Sequence, residues 1–93
     1  MGRLDKKVAL VTGAAVGNGW GIAKVFGLEG AHVAMLDIQE QVFESARNLE
    51  DQGYAVSAYR MDVCDRDGVE EAVDDLVKKL GKIDILVNNA GIA

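Results

Sequence analysis

The chain has 93 residues, 49% hydrophobic and 27% charged, enough for one small domain and too evenly mixed for a disordered or membrane-spanning segment. Fifteen acidic against ten basic residues give a net charge of −5, which offers no footprint for nucleic acid. A single cysteine, Cys64, and a single histidine, His32, exclude an internal disulfide and argue against a protein-ligated zinc or iron site.

The opening "MGRLDKK" passes from charge straight into a short strand-like run, without the apolar stretch of a secretory signal, so a cytoplasmic protein is expected. "KVALVT" (7–12) is the first expected strand, and the glycine-rich "TGAAVGNGWG" (12–21) follows it directly. From Trp20 to Glu29 a helix is expected, with Ile22, Val25 and Phe26 on one face and Gly30 as its stop. "HVAMLD" (32–37) is the second strand; Val42, Ala46 and Leu49 then mark a helix ending near Gly53. "AVSAYRMD" (55–62) is the third strand. The third helix carries Val69, Ala72, Val73, Leu76, Val77 and Leu80 at the 3.6-residue period, with Asp65 or Asp67 as N-cap and Gly81 as stop. "IDILVN" (83–88) is the fourth strand. Strands that are apolar nearly throughout suit a parallel sheet covered on both faces. Right-handed crossovers then turn βαβαβαβ into a doubly wound α/β fold with strand order 3-2-1-4, its crevice at the carboxyl end of the first strand.

That crevice is where the polar motifs fall. Glycines between a strand and a helix permit a sharp turn and let backbone N–H groups approach a pyrophosphate at the positive end of the helix. Gly13, Gly17 and Gly19, with Asn18 between the last two, fit this role; a bare GxxxGxG string could equally be an ordinary flexible loop. Asp37 closes the second strand at the spacing where a carboxylate accepts both ribose hydroxyls of an adenosine and repels a 2′-phosphate. No Arg or Lys follows it, and Ala14 and Ala15 leave the loop without a cation, so NAD is favoured over NADP. Asp62 and Val63, ending the third strand, could receive the amine and edge of an adenine, although Asp62 could instead cap the turn into the next helix. "NNAG" (88–91) suits a backbone closing over a ribose, and by itself reads equally as an Asn-rich turn.

Taken in order, "TGAAVGNG", Asp37, "MDV" and "ILVNNAG" resemble the classical short-chain dehydrogenase/reductase family, over essentially the whole chain. The resemblance implies the amino-terminal, NAD-binding half of a Rossmann-type fold, with Gly13, Gly17 and Gly19 on the pyrophosphate and Asp37 on the adenine ribose. It also implies that Asp62 and Val63 meet the adenine, that Asn89, Ala90 and Gly91 approach the adenosine, and that Asn88 chiefly stabilises the sheet. Asn18 departs from the family pattern, which usually has Ile there. The parent reaction implied is hydride transfer between NAD and an alcohol or ketone, carried out by a homo-oligomer.

The family's catalytic Tyr, with Lys four residues later, has no counterpart: Tyr54 is followed at that spacing by Ala58, and Tyr59 by Val63. Ser45 and Ser57, on an expected helix and strand of the nucleotide-binding half, are not the family's catalytic Ser. No catalytic residue and no metal ligand is therefore assigned, and a segment truncated before the catalytic half is expected. Its fourth strand would be an open apolar edge, so the isolated chain is expected to self-associate or to be poorly stable. Trp20 is expected to pack at the helix start, and Cys64 is read as a partly buried bystander. His32 is read as a strand-opening residue without a Ser or Cys partner at useful spacing. Two other readings stand beside the first. One is a non-catalytic module whose edge strand accepts a partner. The other is a methyltransferase half binding S-adenosylmethionine, which leaves "NNAG" unexplained.

Overall fold

The computed structural model describes residues 2–89. Its elements alternate as β1 (Val8–Thr12), α1 (Gly17–Leu28), β2 (His32–Asp37), α2 (Gln41–Asp51), β3 (Val56–Arg60), α3 (Arg66–Leu80) and β4 (Ile85–Asn88). The strands form one sheet in the order β3-β2-β1-β4, with every pairing parallel. This is the expected doubly wound α/β arrangement, and β1 lies where the strand order reverses. The third strand is shorter than expected, so Asp62 and Val63 lie beyond it in the turn to α3.

Alternation along the strands sends side chains to two separate cores. Val11, Val33 and Met35 meet Ala23 of α1 and Val42, Ala46 and Leu49 of α2. Leu10, Ala34 and Leu36 meet Ala72 and Leu76 of α3 on the opposite face. β1 is buried throughout, as a strand covered on both faces must be. β4, paired with β1, alternates between half-buried and exposed, and its Leu86 is 66% exposed. Two expected core positions face outward. Val25 is 55% exposed because α1 meets the sheet through its small residues Gly19 and Ala23, and Val77 lies off the Ala72–Leu76 stripe of α3. Among the described residues no helix is long and apolar enough to cross a membrane.

Polar contacts fix the register. The Asp65 carboxylate accepts the Gly68 N–H at 3.2 Å and so caps α3, while Gly81 ends that helix in the left-handed conformation (φ 86°). Asp84 staples the start of β4 to the start of β1: its carboxylate accepts the Val8 N–H at 2.8 Å, and its own N–H donates to the Val8 carbonyl at 2.8 Å. The bond from Val8, reinforced by Lys82, holds the Asp84 carboxyl below the ordinary carboxylate range. On the α3 face the Tyr59 hydroxyl donates to Asp75 at 2.8 Å; burial first, and Asp75 second, push it up to about 12. His32 has a partner that chain spacing hid: the β2–β3 pairing brings Ser57 Oγ to 2.8 Å from its Nε2. Burial lowers the His32 pKa.

Two outcomes test this packing. Asp65→Ala should cost about 1 kcal/mol in urea unfolding, the typical worth of such a cap; an unchanged midpoint would mean that the cap does not hold α3. Because burial lowers the His32 pKa in the fold, the unfolded chain binds more protons near the ordinary pKa of about 6.5. Stability should therefore be complete above that pH and fall as the pH drops below it. A His32→Gln variant should flatten this limb of the urea midpoint measured between about pH 7.5 and 5.

Candidate functional site

The carboxyl ends of β1, β2 and β4 meet around the glycine-rich loop. After Thr12 the chain turns at Gly13 (φ 63°), a left-handed conformation that glycine adopts without strain. The Ala14 N–H donates to the Leu36 carbonyl at 3.2 Å, which ties the loop to the end of β2. The Ala15 N–H donates to Asp37 Oδ2 at 3.0 Å, and the buried Ser45 hydroxyl of α2 donates to the Ala15 carbonyl at 2.6 Å. Helix α1 starts at Gly17 (φ 63°), earlier than the expected start near Trp20. Gly17, Asn18 and Gly19 are thus its first turn and not the loop preceding it. Extended Val16 occupies the N-cap without a side-chain cap, and the first turn carries no acidic residue. Its N–H groups are left for an acceptor from outside the helix.

Gly19 is buried against the end of β1. A Cβ at this position would collide with the Gly13 carbonyl oxygen and come within 2.7 Å of its carbon and 2.9 Å of Asn89 Nδ2. Gly19 therefore acts first through packing, letting the helix start rest on the strand end. A Cβ at Gly17 would point into open space, so this glycine acts through its backbone angle. Asn18 is exposed and borders a hollow of about 600 Å³ beside Gly21, Ile22, Val25, Phe26 and Asn89. Trp20 is partly buried against the core, with the Lys24 ammonium 5.4 Å from its ring centre.

Asp37 is only 8% exposed and is not a solvated strand end. Besides the Ala15 N–H it accepts the Gln39 N–H through Oδ1 at 2.9 Å. Each carboxylate oxygen retains acceptor capacity, since the group offers roughly four acceptor sites in all. The Asp37 carbonyl accepts the Met61 N–H at 2.9 Å, which brings the turn holding Asp62 and Val63 beside it. Asp62 is exposed and accepts the Cys64 N–H at 2.9 Å, which caps the turn before α3; of Asp65 and Asp67, Asp65 is the N-cap of the helix itself. Val63 packs against the α3-side core and lines a hollow with Leu10, Leu36, Leu86 and Asn88. Cys64 is exposed, contrary to the expected partial burial, because the side chain sits on an outward turn.

At the end of β4 the Thr12 hydroxyl lies 3.2 Å from Asn88 Oδ1, to which it donates, and Asn89 Nδ2 donates to the Gly13 carbonyl at 3.3 Å. Asn88 thus joins β1 to β4, and Asn89 braces the glycine turn. Ala90 and Gly91 lie outside the described residues. Ser45, which no sequence motif singles out, also belongs to the site. Its hydroxyl lies on the buried face of α2, in phase with Val42, Ala46 and Leu49, and such a group requires a partner.

The closeness at Gly19 has a direct consequence. Gly19→Ala should destabilise the fold by about 2–3 kcal/mol, because only backbone can move to admit the methyl. Gly21→Ala, in the same helix with no neighbour within 4 Å, should instead stabilise it by up to about 1 kcal/mol through helix propensity. Urea unfolding of both variants checks the contrast, and equal effects would contradict it.

The short chain dehydrogenase family model matches residues 7–93. Oxidoreductase UcpA of Salmonella typhimurium is 45% identical over 92 residues, covering 99% of this chain and 35% of the relative. A crystal structure of a short chain dehydrogenase from Mycobacterium smegmatis matches with a TM-score of 0.91 at 40% identity, over 99% of this chain and 40% of that one. L-Sorbose reductase from Gluconobacter frateurii, solved with NADPH and L-sorbose, matches with a TM-score of 0.89 at 38% identity, over 96% of this chain and 35% of that one. The chain spans about a third of the length of the curated relatives it matches. A parallel 3-2-1-4 sheet with a glycine turn packed on the end of its first strand, and these matches along nearly its full length, make this chain a member of the short chain dehydrogenase family.

Proposed function

We propose that the chain binds the adenosine diphosphate portion of NAD for an oxidoreductase acting on an alcohol or ketone. The observation that carries this reading is the buried Asp37 carboxylate, held beside the uncapped start of α1. The residues fit such a group. A pyrophosphate is an acceptor that the free first-turn N–H groups lack, and the positive end of the helix favours its charge. The remaining acceptor sites of Asp37 suit two ribose hydroxyls. A 2′-phosphate would bring like charge against a buried carboxylate, which argues for NAD over NADP; Arg60, in register with Asp37 on the neighbouring strand, donates its Nε–H to the Ile38 carbonyl at 3.0 Å. NADPH in the L-sorbose reductase neighbour supports a nicotinamide dinucleotide in general; the choice of NAD rests on Asp37.

Within this site each residue has a physical task. Gly13, Gly17 and Asn18 shape the backbone around the diphosphate, and Gly19 keeps it close to the strand ends. Asp62 and Val63 border the adenine, and Asn89 holds the Gly13 carbonyl so that the turn keeps its shape. When bound, the nicotinamide supplies the hydride chemistry. The tasks assigned to these residues are binding and orientation, and no proton transfer is assigned to Tyr54 or Tyr59.

Calorimetric titration tests the choice of cofactor. NADH should bind more tightly than NADPH, and Asp37→Ser should shrink that ratio by about tenfold, the scale of one charged hydrogen bond. An unchanged ratio would remove Asp37 from the ribose, and absence of NADH binding would remove the cofactor assignment.

A further inference from the structure

Ser45 is a buried polar residue that the family motifs leave without a role. It projects from α2 onto the backbone of the glycine loop, where its hydroxyl donates to the Ala15 carbonyl at 2.6 Å. The N–H of the same residue donates to Asp37 at 3.0 Å. The two peptide planes flanking the Ala15 Cα are thus each gripped by a different element, which fixes both soft dihedrals of Ala15. No cis peptide bond is present among the described residues, and in a trans peptide the C=O and the following N–H point in opposite directions. Holding the Ala15 carbonyl toward α2 therefore turns the Val16 N–H away from α2. Immediately afterwards the chain enters Gly17 and the uncapped first turn.

We propose that Ser45 is a positioning residue for the diphosphate of a bound nucleotide: by clamping the Ala15 carbonyl it orients the Val16–Gly17 backbone against the phosphates. The proposal rests on the dinucleotide reading above. It assigns Asp37 and Ser45 separable effects through one residue. Asp37 meets the ribose and also holds the Ala15 N–H, so its loss reaches every adenosine ligand. Ser45 has its hydrogen bond on the loop carbonyl, so its loss is felt only by ligands that carry phosphate. A hollow of about 320 Å³ borders Ser45, lined also by Val16, Trp20, Gln41 and Asn48. Threonine keeps the hydroxyl and adds one methyl beside this hollow, so it is the conservative replacement for the serine.

The test compares ADP with adenosine by calorimetric titration of the 93-residue chain. Ser45→Ala should weaken ADP by about tenfold, the worth of one well-made hydrogen bond to a positioned group, and change adenosine by less than about twofold. Ser45→Thr should restore ADP to near the wild-type value, a rescue that simple loss of packing would not produce. Retained adenosine binding reports that the variant is folded. Should Ser45→Ala fail to fold, Ser45→Cys keeps the shape with a far weaker donor and should give the same split. Equal weakening of both ligands, no weakening of ADP, or no rescue by threonine would overturn the clamp. A wild-type chain that binds neither ADP nor NADH would overturn the dinucleotide reading itself, and the clamp with it.

Discussion

The start of α1 rests against the end of β1 because Gly19 has no side chain. A single carbon there would occupy the space of the Gly13 carbonyl and crowd Asn89. With that contact made, the first turn of the helix stands at the crevice where the strand order reverses, and its N–H groups stay open for an outside acceptor. The remaining glycines of the loop serve this geometry. Gly13 and Gly17, both with left-handed angles, let the chain leave the strand and enter the helix over a short distance.

A turn held only by glycines would be loose, since glycine has the largest conformational freedom to lose on folding. Side chains from three other segments restrain it. Asp37 at the end of β2 takes the Ala15 N–H, Ser45 on α2 grips the Ala15 carbonyl, and Asn89 after β4 reaches the Gly13 carbonyl. The loop therefore inherits the rigidity of the sheet. Pre-organisation of this kind lowers the ordering cost that a ligand must meet on binding. The fold and the site are coupled through one short backbone segment.

Most of the architecture was legible in the sequence because its signals are periodic. Continuous apolar runs marked β1 and β2 as strands covered on both faces, and the stripe through Ala72 and Leu76 marked α3 with its Asp65 cap and Gly81 stop. What escaped depended on contacts between segments distant in sequence. The helix start at Gly17 was hidden because glycine is a poor helix former; packing against Gly13 places the turn there. Val25 resembled a core residue until the small residues Gly19 and Ala23 proved to be the face that meets the sheet. The His32–Ser57 pair required the β2–β3 register, and the Ser45 grip on Ala15 required α2 to lie beside the loop. In the candidate site, residue types announced the glycine turn and Asp37. Of the restraints on the turn, Asp37 and Asn89 belong to motifs read in the sequence, and the Ser45 grip belongs to none.

On the proposed function, the loop from Val16 to Gly19 and Asp37 form one nucleotide-binding unit. Backbone amide shifts of the ¹⁵N-labelled chain, followed while NADH is added, test it most directly. The amides of Val16, Gly17, Asn18 and Gly19 and those of Asp37 and Gln39 should shift together and saturate at one NADH concentration, while the amides around Asp75 on α3 stay in place. Saturable shifts confined to α3 or to the far end of the sheet, with the loop amides unmoved, would contradict it.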